Sequence, residues 1–142
     1  MPLSVSTILI PVDGTPRSTR TVEAAILMAQ KFDARIVMVH VRPKVPDFVG
    51  ESYRQEALGK LMEKVETSLK PFREILAASC VPYRERILEG DPAAGILQAA
   101  KEECADLIVM GTRGLTDLAG MFVGSVSHKV IHASPCKILI VP

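Results

Sequence analysis

The sequence predicts a doubly wound α/β domain built on a parallel sheet, and three observations carry that reading. Short apolar runs alternate with amphipathic stretches in strict order, the pattern of a parallel sheet with helices on both faces. Runs such as Thr7-Ile8-Leu9-Ile10-Pro11-Val12 are apolar throughout rather than alternating, which marks strands covered on both sides. The chain has 142 residues, enough for one such domain of five strands spanning residues 1–142 and no second one.

The elements follow in order. Thr7 to Val12 is the first strand. Thr15 before Pro16 reads as a cap with proline at the first helical position, and Val22, Ala25, Ile26, Met28 and Ala29 continue that helix at roughly helical spacing. Arg35 to Val41 is the second strand. Arg42 to Gly50 holds Pro43 and Pro46 and excludes a regular element. From Ser52 to Ala78 the apolar residues Leu58, Leu61, Met62, Val65, Leu69, Phe72 and Leu76 predict a long amphipathic helix, with Pro71 expected to kink or split it. Val81 to Leu88 is a third strand, polar enough to belong at a sheet edge. Gly90-Asp91-Pro92 opens the next helix with a carboxylate cap, and Ile96, Leu97, Ala100 and Cys104 form its buried stripe. Asp106 to Met110 is the fourth strand, Ser125 to His132 a short helix, and Lys137 to Val141 the last strand.

Composition removes several function classes. Lys and Arg total 17 against 16 Asp and Glu, a net charge of +1, so no field steers the chain onto nucleic acid or a membrane. Aromatics are 4% with no Trp, leaving few platforms for stacking bases. The opening MPLSVSTILIPVDG lacks a basic start, and no apolar run approaches a membrane span, so a cytoplasmic protein is expected. Cys80, Cys104 and Cys136 are odd in number with no CxxC, and each is expected to be a small buried hydrophobe.

In a doubly wound sheet ligands bind beyond the carboxyl ends of the strands, where strand order reverses. That directs attention to Pro11-Val12-Asp13-Gly14 and to Met110-Gly111-Thr112-Arg113-Gly114, the second running on to Gly124-Ser125-Val126-Ser127. Gly111, Gly114 and Gly124 allow close approach of the backbone or simply permit turns. The amides of a helix beginning at Ser125, with the Ser125 and Ser127 hydroxyls, form an expected phosphate cradle that needs no lysine. Asp13 has two readings, a helix cap or an acceptor for a ligand hydroxyl. With Thr15 in place as the cap, the second is preferred. Arg113 is read first as a solvated side chain and second as a phosphate contact.

The spacing Gly111-x-x-Gly114, nine residues, then Gly124-Ser125 resembles the nucleotide-binding signature of the universal stress protein family. ILIPVDG, GDPAAGIL, ADLIVMGTRG and GSVSHKVIHASPCKILIV resemble the family's blocks in the same order, and only Arg42 to Ala78 matches weakly. The resemblance implies an adenine nucleotide alpha hydrolase-like sheet of order 3-2-1-4-5, a homodimer, and bound ATP with Mg2+. It places Pro11, Val12 and Asp13 beside the adenosine, Val41 against the adenine, Met110 and Gly111 on the fourth-strand wall, and Gly114, Gly124, Ser125 and Val126 at the phosphates. The function it implies is nucleotide-dependent signalling in a stress response through an unidentified protein partner. The alternatives are a scaffold or chaperone-like module without a physiological nucleotide, and a slow ATPase or autophosphorylating protein.

Other nucleotide folds fail on missing residues. There is no GxxxxGK[ST] and no GxGxxG after the first strand, no cluster of acids for a receiver domain, and too few aromatics for a flavin. No catalytic set stands out, since efficient phosphoryl transfer needs a placed base and added positive charge. His128 and His132, four apart, have metal-compatible spacing but no third ligand, and are read as a helix face, with no metal site expected. His40, alternating with apolar residues, is read as structural. The last strand, apolar on both faces, is expected at a sheet edge where it would pair with a second copy.

Overall fold

Apolar β-branched runs at Thr7–Pro11, Arg35–Arg42, Tyr83–Glu89, Leu107–Gly111 and Lys137–Val141 form strands β1 to β5. The helices between them are α1 (Ser18–Phe32), α2 (Glu51–Ala78), α3 (Pro92–Glu102) and α4 (Ser125–Ala133). In this computed structural model residues 4–47, 50–112 and 124–142 are described. All strand pairs are parallel and the order is β3-β2-β1-β4-β5, so β3 and β5 lie at the edges as expected.

Alternation along the strands sorts the core into two layers. Ile8, Ile10, Ile36, Met38 and Val109 face α1 and α2, meeting Val22, Ala25, Leu69, Phe72 and Leu76. Leu9, Val37, Val39, Ile108 and Met110 face α3 and α4, meeting Ile96, Ala99, Ala100 and Val130. Burial on both faces is why the central strands carry no polar alternation.

One local feature positions the site. β1 and β2 stay in register from Thr7↔Arg35 to Pro11↔Val39, but β1 and β4 pair only at Ile8↔Leu107 and Leu9↔Ile108. The Val12 amide donates to Val39 at 2.9 Å, on the β2 side, and the Thr7 carbonyl accepts from the Asp106 amide on the β4 side. By strand alternation the amide of residue 11 would point at β4, and Pro11 has none. The β1–β4 ladder therefore ends there, and the two chains diverge into a cleft.

Several expectations need correction. α1 begins at Ser18 with Arg17 at its N-cap and no side-chain cap bond, so Thr15-Pro16 is a turn before the helix. Pro71 does not split α2, which runs unbroken for 28 residues. Pro71 and Thr67 are exposed, so water can satisfy the Thr67 carbonyl, while buried Val65, Leu69, Phe72 and Leu76 hold the helix on the sheet. The cysteines are not core residues. Cys80 and Cys104 are exposed at left-handed positions after α2 and α3 (φ 61° and 53°), and Cys136 is half-buried. The α3 start matches its expectation, with the Asp91 carboxylate accepting from the Ala94 amide at 2.9 Å and Pro92 next.

Candidate functional site

The divergence of β1 and β4 opens a cavity of about 1010 Å³ at the carboxyl ends of the strands. Of the residues singled out from the sequence, Pro11, Val12, Asp13, Val41, Met110, Gly111, Gly124 and Val126 line it. Ser125 is exposed and is not part of the lining. Arg113 and Gly114 lie outside the described residues.

The cavity has two chemically different ends. Toward β2 and α3 its wall is apolar, made by Val39, Val41, Pro43, Pro92 and Ile96. Toward β4, α4 and the first turn of α1 it is polar, with Thr112, Gly124, Ser127, Ser18, Thr21, Arg17 and Arg20. α1 packs over β1 and β4 and reaches β5, which brings its first turn to that end.

Asp13 is organised differently from the expectation. Its Oδ1 accepts from the Thr15 amide (2.9 Å), the Thr15 hydroxyl (2.6 Å) and the Ser18 hydroxyl (2.8 Å). Thr15 thus spends its hydroxyl on Asp13, and the carboxylate ties the β1 exit to the start of α1. The turn also needs Gly14, whose φ of +83° suits glycine; a Cβ there would sit 3.0 Å from Ser68 Oγ on α2.

Ser127 is buried and donates its hydroxyl proton to the Gly111 carbonyl at 2.7 Å. It braces the end of β4 against α4, so its proton is not free for an anion. Gly124 accepts no side-chain cap and sits in extended conformation before α4, its amide donating to the Thr112 carbonyl at 2.6 Å. The first amides of α4 beyond it have no intrahelical carbonyl to bond, and Val126 and Ser127 line the polar end.

Sequence reasoning missed two contributors. His40 lines the cavity, and its Nδ1 donates to the Val12 carbonyl at 2.9 Å, tying β2 to the chain leaving β1. Its structural reading stands, and its alternation in β2 was the only available signal. Gly95 lets α3 lie close to the apolar wall, since a Cβ there would fall 2.9 Å from Val41 Cγ2. The His128 and His132 rings meet edge-on with centroids 4.4 Å apart, and no group of three metal-ligating side chains occurs among the described residues.

The sequence matches the profile of the universal stress protein family over residues 5–142. The chain belongs to the universal stress protein family. It is 43% identical over 136 residues to the universal stress protein in the QAH/OAS sulfhydrylase 3'region of Thermus aquaticus, covering 95% of this chain and 97% of that one. Its fold is similar to that of universal stress protein UspA from Lactobacillus plantarum, with a TM-score of 0.85 and 22% identity, covering 98% and 99% of the two chains. It is also similar to a universal stress protein solved in complex with cAMP, with a TM-score of 0.76, 25% identity and 98% of each chain covered. The five-stranded order found here is that of the universal stress protein fold.

Proposed function

We propose that this universal stress protein binds an adenine nucleotide, ATP carrying Mg2+, in the cavity where β1 and β4 diverge, and uses it to signal in a cytoplasmic stress response. The observation that carries this reading is the joining of an apolar wall to a glycine-lined polar end at the switch point of a parallel sheet. The cAMP complex of a family member similar to this chain supports an adenine nucleotide as the ligand class.

In this reading the adenine lies against Val41 and Met110, with Pro11 and Val12 beneath it. The Asp13 oxygen left by Thr15 and Ser18 accepts a ribose hydroxyl. Main chain at Gly111 and Gly124, the helix start at Ser125 and Val126, and the Arg113-Gly114 segment cradle the phosphates. Asp13 is the only carboxylate side chain among the described lining residues. Magnesium would therefore enter on the phosphates with water completing its shell, which suits its reluctance to dehydrate. Binding and partner recognition, rather than turnover, are the expected outputs. β5, half-buried at an exposed edge, is the proposed pairing surface for a second copy.

Calorimetric titration of nucleotide-stripped protein with ATP and magnesium tests the reading. Saturable micromolar binding that disappears in Gly124→Val is expected. No binding up to millimolar ATP would remove the nucleotide and leave an interaction module. Sedimentation as a monomer at micromolar concentration would refute the β5 pairing.

A further inference from the structure

The outer face of α4 carries two imidazoles that the cavity does not use. His128 and His132 are both exposed, while Ser127 and Val130 of the same helix are buried. Residues four apart on a helix lie one above the other on one face. Spacing alone leaves such a pair a helix face. The structure adds that the two rings have already met, with centroids 4.4 Å apart and an interplanar angle of 67°. None of their ring nitrogens has a hydrogen-bond partner among the described residues. His40, by contrast, has its Nδ1 committed to the Val12 carbonyl at 2.9 Å.

Two imidazoles side by side are a donor set for a borderline divalent metal. A neutral imidazole nitrogen binds zinc at about 2.0–2.1 Å. Bringing one nitrogen of each ring onto a common ion takes rotation about χ2, a broad torsion. Because the rings are already neighbours, the side chains have little further freedom to lose. His132 lies in the last turn of α4, where unpaired carbonyls form the negative end of the helix dipole and favour a cation. Lys129 lies between the two histidines and opposes a cation by its charge, and α4 itself contains no carboxylate. The donors on this helix face are therefore nitrogens. Imidazole suits zinc, nickel and copper, whereas magnesium and calcium seek oxygen.

We propose that His128 and His132 form a two-nitrogen clamp for a borderline divalent cation on the surface of α4. Water fills the remaining positions around the ion, as it does at open zinc sites. The clamp bridges one turn of a nine-residue helix whose start lines the cavity at Val126 and Ser127. A helix that short is marginal by itself and is firmed by a link between turns. The site is separate from the nucleotide cavity and does not depend on what the cavity binds.

Zinc chloride titrated calorimetrically into the full, untagged chain tests the clamp. The titration uses a Cys80→Ser/Cys104→Ser background, because exposed thiols are zinc ligands in their own right. Saturable binding of a single ion with Kd of about 10–100 μM is expected, and His128→Gln and His132→Gln should each weaken it at least about tenfold. Both side chains are exposed, so these variants should melt within about 2 °C of the parent. In proton NMR spectra the ring signals of His128 and His132 should move with zinc while those of His40 hold still, and magnesium chloride should move none of them. Undiminished zinc binding in either single variant, or zinc-dependent shifts at His40 alone, overturns the clamp. So does the lack of any saturable binding up to millimolar zinc.

Discussion

The two ends of the sheet use the same residue types in opposite ways. Where the strands begin, charges are consumed by one another. Asp106 Oδ2 accepts the amides of Ser6 (2.9 Å) and Thr7 (3.0 Å), and Arg35 Nε donates to the Thr7 hydroxyl at 3.1 Å. Glu103, 4% exposed at the end of α3, hydrogen-bonds Arg84 and lies 3.6 Å from Arg86 and 3.8 Å from Arg35. Where the strands end, Pro11 breaks a ladder, Asp13 is the lone carboxylate side chain in the described lining, and Arg20 lines the cavity with no described partner. A cation with its carboxylate fastens strand starts together. A cation without one is available to something that is not part of the chain.

The largest expected effect breaks the closed end alone. Glu103→Ala leaves the guanidinium groups of Arg84, Arg86 and Arg35 facing one another. Loss of charged hydrogen bonds to a buried carboxylate should cost about 2–3 kcal/mol, lowering Tm by roughly 5–10 °C while nucleotide affinity stays put. Calorimetry of the variant showing no change in Tm would mean that the three arginines are held by solvent rather than by Glu103.

A smaller effect belongs to the open end. Gly95→Ala improves helix propensity by up to about 1 kcal/mol, yet its Cβ would come 2.9 Å from Val41 Cγ2 and 3.4 Å from Cγ1. Val41 must then move toward the cavity. The expected result is a Tm within about 2 °C of wild type and nucleotide affinity reduced several-fold. Unchanged affinity would show that Val41 does not bound the ligand.

The smallest effect concerns the thiols near the strand starts. Burial, the first cause, pushes the Cys136 thiol above its ordinary range; the Ser134 hydroxyl opposes this and Asp106 adds to it. A thiol raised on folding stabilises the folded state below its unfolded pKa, and that contribution is lost as pH rises through the thiol range. Alkylation at pH 8 should therefore modify exposed Cys80 and Cys104 first and Cys136 several-fold more slowly. Equal rates would show Cys136 to be as accessible as the other two.

The fold was legible because its evidence is local. Strands buried on both faces announce themselves as unbroken apolar runs, and Asp91-Pro92 carries its own cap. The cleft was legible in outline, because topology puts it at the exits of β1 and β4. What the sequence withheld depends on contacts distant in the chain. Thr15 looks like a cap until Asp13 competes for its hydroxyl. Glu103 reads as one more surface carboxylate until β2 and β3 bring arginines to it. Cys80 and Cys104 look like core hydrophobes because nothing local shows that the chain turns left-handed there. Gly95 and Arg20 carry no motif, and only the packing of α3 and α1 over the sheet gives them a place.

The missing amide of Pro11 has a consequence for how the sheet comes apart. β1 is zipped to β2 over five register positions and β2 to β3 over seven, whereas β1 meets β4 at two. The sheet thus has two parts, β1-β2-β3 and β4-β5, the units joined along a short seam under the same helix α1. Native-state hydrogen exchange should find amides bonded across that seam opening at lower free energy than those between β1 and β2. A ligand bridging Val12 and Met110 would staple the units together, so its presence would be written in the exchange rates of strands it never touches.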